Sequence, residues 1–151
     1  IDIETIVYEK SGMKILRNVM TKETRYGALW EPLATKAKLI GLRPIAKCYD
    51  IGIKYCCTLS INASIPEELT HIIKKIYYKA ILEFLREPTK WVSWYSARVG
   101  IDAGLIKNSI NSYIYHEYIN LNEIEDMFKS VGLTIPNISI IKELIINHGN
   151  N

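Results

Sequence analysis

Apolar and polar residues alternate along part of the first half of the chain, most clearly over Tyr49–Ile61. Every second residue of this stretch is apolar, and Asp50, Lys54 and Thr58 are among the residues between them. A period of two gives a strand one buried face and one wet face, as in an antiparallel sheet. The pattern therefore predicts a strand over Tyr49–Ile61, with Arg43–Tyr49 as a candidate hairpin partner.

The first 23 residues allow two interpretations. Ser11 and Gly12 form a turn signal between two short apolar runs, Thr5–Tyr8 and Met13–Met20, which favours a hairpin. The same apolar positions also fit a helix that is interrupted at Gly12. We prefer the hairpin, so a small antiparallel sheet is expected within residues 1–62.

Apolar residues at helical spacing predict helices over most of the second half. In the longest, Ser64–Arg86, Ser64 and Glu67 have the spacing of a capping box. Shorter helices are predicted over Glu31–Ile40, Lys90–Val99, Asp102–Tyr118, Glu123–Val131 and Pro136–Ile146. The expected fold class is α+β, with a small N-terminal antiparallel sheet packed on a C-terminal bundle of four or five helices. The 151 residues fit one domain, with a β-containing part at 1–62 and a helical part at 63–151.

The last predicted helix, Pro136–Ile146, is apolar on nearly all sides. A single apolar stripe would be enough to pack a helix against its own chain. We therefore expect residues 136–146 to lie centrally or to contact another chain, through self-association or a protein partner.

One stretch, Tyr95–Ile110, indicates a class of function. A helix that ends at Val99, a left-handed Gly100 and an N-cap at Asp102 would form a helix–turn–helix. This pattern resembles the helix–turn–helix of bacterial and phage repressors, whose second helix enters the major groove of DNA. The outward residues that the resemblance implies are Ala103, Gly104, Lys107, Asn108 and Asn111. The corner is also similar to the helical C-terminal domain of archaeal and eukaryotic primase large subunits, whose iron–sulfur cysteines have no match here.

The alternative for this stretch is an ordinary corner between two packed helices. Val131-Gly132-Leu133 and Ile40-Gly41-Leu42 repeat the pattern around Gly100, and at least two of the three turns should be structural. Gly104 weakens the start of the second helix by about 1 kcal/mol relative to Ala. No Arg or Gln lies on its exposed face, although these residues make many of the contacts to base edges.

Cationic and aromatic residues are spaced along the longest predicted helix and continue into the next one. They are His71, Lys75, Tyr78 and Arg86, followed by Lys90, Trp94 and Arg98. Cations in this arrangement can track a phosphate backbone, while Tyr78 and Trp94 can stack on bases. The alternatives are a solvated helix face and, for Trp94, a packed position or a cation–π contact with Arg98.

Composition permits nucleic-acid binding without requiring it, because the net charge is only +3 and 48% of the residues are hydrophobic. Cys48, Cys56 and Cys57 are not spaced as a disulfide framework or a zinc site, so we expect reduced cysteines and an intracellular, cytoplasmic protein. No secretory signal is visible, and no apolar run reaches the roughly 18–20 residues of a membrane span.

No Walker loop, GxGxxG, HExxH or GxSxG motif occurs in the sequence, and its three histidines lack acidic or cysteine neighbours at ligand or triad spacing. We therefore expect no enzyme activity, cofactor or metal. The leading hypothesis is a non-catalytic protein that binds DNA or RNA, or an accessory subunit of a replication or transcription complex. The alternative is a structural or assembly protein, cellular or viral, in which the apolar C-terminal helix and exposed aromatic residues form subunit contacts.

Overall fold

The computed structural model describes residues 6–116 and 118–145, and every regular element within them is helical. The α-helices are α1 (Gly12–Met20), α2 (Leu33–Leu39), α3 (Glu67–Arg86), α4 (Val92–Val99), α5 (Ala103–Ser109), α6 (Leu121–Ser130) and α7 (Ile138–Leu144). Short 3-10 helices cover Tyr49–Ile51, Pro88–Trp91 and Ile110–Ser112. The predicted α+β fold with an N-terminal antiparallel sheet is therefore wrong. None of the described helices combines the length and apolar character needed to cross a bilayer.

The predicted strand over Tyr49–Ile61 is replaced by a tight turn and irregular backbone. The Asp50 carboxylate accepts a hydrogen bond from the Lys47 N–H at 3.0 Å, which supports a 3-10 turn. Gly52 follows with a φ of 83°, a left-handed conformation that a regular strand does not contain. Leu59 is 48% exposed, so the alternation of apolar residues does not correspond to a buried face.

The hairpin preferred for the N-terminus is also wrong in the described residues. Met13–Met20 belongs to α1, and residues 6–9 form no regular element, while Thr5 lies outside the described residues. Gly12 is buried at the start of α1, and a Cβ on it would lie 2.6 Å from Cδ1 of Leu33. Gly12 is therefore a site of close helix packing. The alternative of a helix interrupted at Gly12 is correct only for the part that follows Gly12.

The structure divides into two compact units, each assembled from two separated stretches of chain. The first unit contains the described residues up to Arg43 together with Thr89–Tyr113, and in it α1 packs on α2, α2 on α5 and α5 on α4. Its buried apolar side chains are Leu16, Ala37, Val92, Ile106 and Ile110. The fully buried Ser109 hydroxyl donates to the Ile106 carbonyl oxygen at 2.9 Å, so this polar group is satisfied within the core.

The second unit contains Pro44–Pro88 and the described chain from Ile114 onward, including α3, α6 and α7. The predicted capping box of α3 does not form, because the Ser64 N–H and hydroxyl both donate to Oδ1 of Asn62 at 2.9 Å, before the helix begins. Ile81 is the one residue of α3 that is buried. The apolar stripe predicted for this helix is largely exposed, with Leu69 at 50% and Ile76 at 63%.

The remaining helices begin or end at other residues than predicted. For α6 and α7, the start is set by a capping asparagine. The predicted helix Asp102–Tyr118 ends much earlier, at Ser109, and continues as a short 3-10 turn. The Asn120 side chain accepts from the Asn122 N–H, which starts α6 at Leu121. Asn137 caps α7 through the Ser139 N–H at 3.0 Å, and the predicted end at Ile146 lies outside the described residues. The prediction of a single 151-residue domain stays a prediction.

Candidate nucleic-acid interface

The corner between α4 and α5 is built by three local hydrogen bonds. The Gly100 N–H donates to the Ser96 carbonyl oxygen at 2.9 Å, with Gly100 at φ 67° and ψ 27°. The Ser96 hydroxyl donates to the Ile101 carbonyl oxygen at 2.6 Å, which holds the turn against α4. The Asp102 carboxylate accepts from the Leu105 N–H at 2.9 Å and caps α5. The predicted helix end at Val99 and the predicted cap at Asp102 are confirmed, while the resemblance to repressors stays a prediction.

The two similar glycine turns elsewhere in the chain use different hydrogen bonds. Gly41 and Gly132 also have positive φ values, 92° and 70°. In these turns the next residue bonds back five positions, from Leu42 N–H to Ala37 O and from Leu133 N–H to Phe128 O, both at 2.9 Å. That is the Schellman arrangement, whereas the bond from Gly100 is the simpler left-handed cap. The similar sequences around the three glycines therefore do not produce three copies of one turn.

We expect Gly100→Val to lower the free energy of unfolding by about 1–2 kcal/mol, the cost of a left-handed residue with a side chain. No atom lies within 4 Å of the position that a Cβ would take on Gly100, so the effect should come from backbone strain alone. Gly100→Asn is the matched control, because Asn tolerates this conformation, and it should cost less. Urea titrations of the three proteins measure the difference, and equal losses for Val and Asn would contradict this account.

A cluster of two cations and two indole rings surrounds the start and outer face of α4; we call Lys90, Trp91, Trp94 and Arg98 the α4 cluster. Lys90 Nζ lies 5.6 Å from the centre of the Trp91 ring, and Arg98 Cζ lies 5.9 Å from the centre of the Trp94 ring. The two indoles meet edge to face, with centres 6.2 Å apart and planes at 84°. Trp94 is 59% exposed, so the cluster presents an aromatic ring and two cations to solvent.

Exposed polar residues of α5 and of the 3-10 helix that follows it belong to the same unit as the α4 cluster. Lys107, Asn108 and Asn111 are all exposed. We call Lys90, Trp94, Arg98, Lys107, Asn108 and Asn111 the α4–α5 surface. Asp102 is the one carboxylate in the sequence from 88 to 116, and its side chain is used as the cap of α5. No ion pair involves Lys90, Arg98 or Lys107 within the described part of the chain.

The predicted site residues of α3 belong to the second unit and form a separate set. His71 lies 3.6 Å from the Glu67 carboxylate, and Arg86 lies 3.7 Å from that of Glu87. Exposed pairs of this kind contribute little stability, but they reduce the positive charge that α3 presents. Lys75 is exposed and Tyr78 is half-buried. The α3 set is therefore less suited to binding an anion than the α4–α5 surface.

A polar cluster in the second unit was not anticipated from the sequence. Lys54 Nζ donates to one Glu123 oxygen at 2.7 Å, and the Tyr55 hydroxyl donates to the other. The Asn120 N–H donates to the Tyr55 oxygen at 3.3 Å, and the rings of Tyr55 and His116 meet edge to face with their centres 5.0 Å apart. Both Glu123 oxygens are occupied by partners in the chain. The cluster therefore fastens the loop at Lys54 and Tyr55 to α6.

These contacts shift the pKa values of the three side chains. The hydrogen bond from Lys54, followed by the one from Tyr55, lowers the pKa of Glu123. The same hydrogen bond raises the pKa of Lys54, and burial raises the pKa of Tyr55. A lowered carboxyl pKa stabilises the fold at neutral pH, and this stability is lost as the pH falls through the folded-state pKa. The raised pKa of Lys54 acts at the other limit, where stability is lost as the pH rises through it.

We expect Glu123→Gln to reduce the dependence of the melting temperature on pH in the acid range, because the variant removes the carboxylate whose pKa is lowered on folding. Lys54→Gln should remove part of the same dependence, since the hydrogen bond from Lys54 is the largest cause of the lowered Glu123 pKa. Thermal unfolding followed by circular dichroism from neutral pH downward measures both effects. Wild-type acid dependence in Glu123→Gln would show that the cluster does not form.

The cysteines provide no obvious site. Cys48, Cys56 and Cys57 are exposed and free of disulfides. A hydrogen bond with Cys56 raises the pKa of the Cys57 thiol, and the two neighbours meet because the backbone here is not an extended strand. Among the residues that the structure describes, no three His, Cys, Asp or Glu side chains lie close enough together to hold a metal ion.

The chain matches no protein-family model, no curated protein and no solved structure.

Proposed function

We propose that this chain is a non-catalytic nucleic-acid-binding protein, acting alone or as an accessory subunit of a replication or transcription complex. Its contacts to phosphates would come from the α4–α5 surface. The observation that supports this proposal is the charge of that surface. Its cations form no ion pair among the described residues, and the one carboxylate in the sequence from 88 to 116, Asp102, is used to cap a helix.

Binding would be driven mainly by the phosphate backbone. Each phosphate that a Lys or Arg neutralises releases condensed counterions, which supplies affinity without reading sequence. Asn108 and Asn111 can each donate and accept hydrogen bonds, and their exposed positions suit contacts to phosphate, sugar or base. Arg98 lies over an exposed ring and forms no ion pair with any residue that the structure describes, so its guanidinium can reach a phosphate without breaking such a pair.

The α3 set is assigned a secondary role. His71 and Arg86 already have carboxylate neighbours, whereas exposed Lys75 has no ion pair among the described residues. If the α3 set contributes at all, Lys75 is therefore the residue whose removal should weaken binding most.

Fluorescence anisotropy with labelled duplex and single-stranded oligonucleotides, across about 50–200 mM salt, tests the proposal. On duplex DNA each phosphate contact contributes about −0.9 to the slope of log affinity against log salt concentration. Three contacts would therefore give a slope of roughly −2.7. Affinities that change little between sequences are expected, because phosphates carry no sequence information. Absence of binding to every oligonucleotide at the lowest salt would show that the proposal is wrong.

A second candidate function is assembly with further copies of the same chain, and the exposure of α3 favours it. Leu69, Ile72 and Ile76 lie at helical spacing and are 50%, 52% and 63% exposed. A helix rich in β-branched residues gains most of its stability from packing, so a partner on this stripe would stabilise it. The predicted contact through residues 136–146 remains part of this candidate, with Ile140 of α7 55% exposed.

Light scattering separates the two candidates. Self-association through apolar side chains should persist in about 1 M salt, where phosphate contacts are strongly weakened. Ile76→Asp should abolish such an assembly, because it would place a charge in the contact. A monomer at every concentration and salt tested would remove the second candidate.

A further inference from the structure

We propose that the Trp94 side of the α4 cluster is a stacking site for an unpaired base, so that the preferred ligand is single-stranded nucleic acid. This inference rests on the proposed function, and it specifies which nucleic acid that function serves. Its parts are an exposed indole ring, a cation above that ring and a second indole that fixes its orientation.

The position of Trp94 is well defined by its neighbours. It lies on α4, two residues after the buried Val92, and the half-buried Trp91 contacts it edge to face. A ring held in one orientation loses little conformational entropy when a base stacks on it. Because 59% of the residue remains exposed, ring area is available to a ligand.

The cation above the ring strengthens the case for a base. Arg98 Cζ lies 5.9 Å from the centre of the Trp94 ring. A planar guanidinium can stack on a base or donate to a phosphate oxygen, so one nucleotide can contact the ring through its base and Arg98 through its phosphate. Stacking does not depend on base identity, because every base has a π face.

Trp30 shows that exposure alone does not define this site. It is 58% exposed, almost the same as Trp94. Two atoms of its six-membered ring lie 3.1 and 3.2 Å from the position of a Cβ on Gly12, so its ring packs along the start of α1. Among the residues that the structure describes, a cation lies over the Trp94 ring and none lies over that of Trp30. Trp30 is therefore a matched control for Trp94.

Single strands are favoured over duplexes because the faces of paired bases are already stacked. A ring on the side of a helix reaches such a face only after the base has been flipped out, which costs a few kcal/mol. The α5 part of the surface lacks the Arg and Gln side chains that read duplex edges most often. Phosphate contacts and one stacked base match the general arrangement of sites for unpaired strands.

The test uses the 151-residue chain and three labelled ligands. They are a single strand of twelve thymidines, a single strand of twelve uridines, and the duplex of the thymidine strand with its complement. Trp94→Ala should weaken binding to both single strands by roughly 5- to 150-fold, equivalent to about 1–3 kcal/mol, with the salt slope unchanged. Trp94→Phe should retain part of the affinity, and Trp30→Ala should stay within about twofold of wild type. A preference for thymidine over uridine, or the reverse, would identify which nucleic acid the stacking site serves.

A second measurement needs no change in the protein. Thymidine strands with several abasic nucleotides keep every phosphate and lose bases, so wild-type protein should bind them more weakly than intact strands, and Trp94→Ala should bind both equally. If wild type binds duplex as tightly as single strands, or ignores the loss of bases, the stacking site is disproved while the proposed function stands. If wild type binds none of these ligands, both are disproved.

Discussion

Replacing Leu16 with Ala is expected to lower the free energy of unfolding by about 2–5 kcal/mol, the usual cost of truncating a large core side chain. Leu16 is 2% exposed in α1, and α1 packs on α2, so the truncation should leave a cavity that the helices cannot easily close. Urea unfolding followed by circular dichroism measures the loss.

Met13→Ala is the matched control for Leu16, because Met13 lies in the same helix and is 50% exposed. Its effect should stay within about 0.5 kcal/mol, as for most surface substitutions. Leu16→Met, which conserves volume, should cost less than about 1.5 kcal/mol and remains measurable if the Ala variant unfolds completely. Similar losses at Met13 and Leu16 would contradict the helix and its packing.

The second large effect concerns binding. Replacing Lys90, Arg98 and Lys107 together with Ala should remove about three phosphate contacts and flatten the salt slope on duplex DNA by roughly 2.7 units. All three residues are exposed, and none forms an ion pair within the described residues, so the fold should be little affected. Anisotropy titrations across salt measure the slope, and circular dichroism confirms folding.

The matched control replaces three other exposed cations of the first unit, Lys10, Lys38 and Arg43. Both triple variants lower the formal net charge from +3 to zero, so they differ only in where charge is lost. The control should keep most of the wild-type slope. Equal slopes for the two variants would mean that binding follows net charge, and the α4–α5 surface would then have no special role.

Local signals in the sequence predicted the corner between α4 and α5 well. A glycine that can adopt positive φ and an aspartate that can cap a helix act within a few residues, so the boundaries at Gly100 and Asp102 follow directly. The same reasoning failed at Ser64, because Asn62 competes for its N–H and hydroxyl before the helix starts.

Features that depend on distant parts of the chain were predicted poorly. The hairpin at Gly12 looked reasonable because nothing nearby reveals that Leu33 will pack against this glycine. The alternating pattern over Tyr49–Ile61 has no partner strand within the described chain, and periodicity alone does not reveal that absence. A strand would also have placed Lys54 and Tyr55 on opposite faces, whereas irregular backbone lets both reach Glu123, 69 and 68 residues away.

The candidate site was predicted only in part: the arrangement along one helix was predicted, and some contacts between its side chains were missed. The four-residue spacing of Lys90, Trp94 and Arg98 places them along one face whenever that segment is helical. Trp91 is half-buried and contacts both Lys90 and Trp94. The three-residue spacing of the two tryptophans was the available signal for that contact. The carboxylate neighbours of His71 and Arg86 were missed, although Glu67 lies four residues before His71 and Glu87 directly follows Arg86.

The discontinuous first unit has a consequence for the order in which the protein can fold during synthesis. α2 packs on α5, yet Pro44–Pro88 is translated between them. At about 5–20 residues per second, roughly 70 residues from Pro44 to Tyr113 take about 4–14 s to follow the first stretch out of the ribosome. During that interval α1 and α2 lack α5, the helix on which α2 packs. The α4–α5 surface can therefore form only after the two ends of this unit have met, and a fragment that begins at Pro44 should not reproduce it.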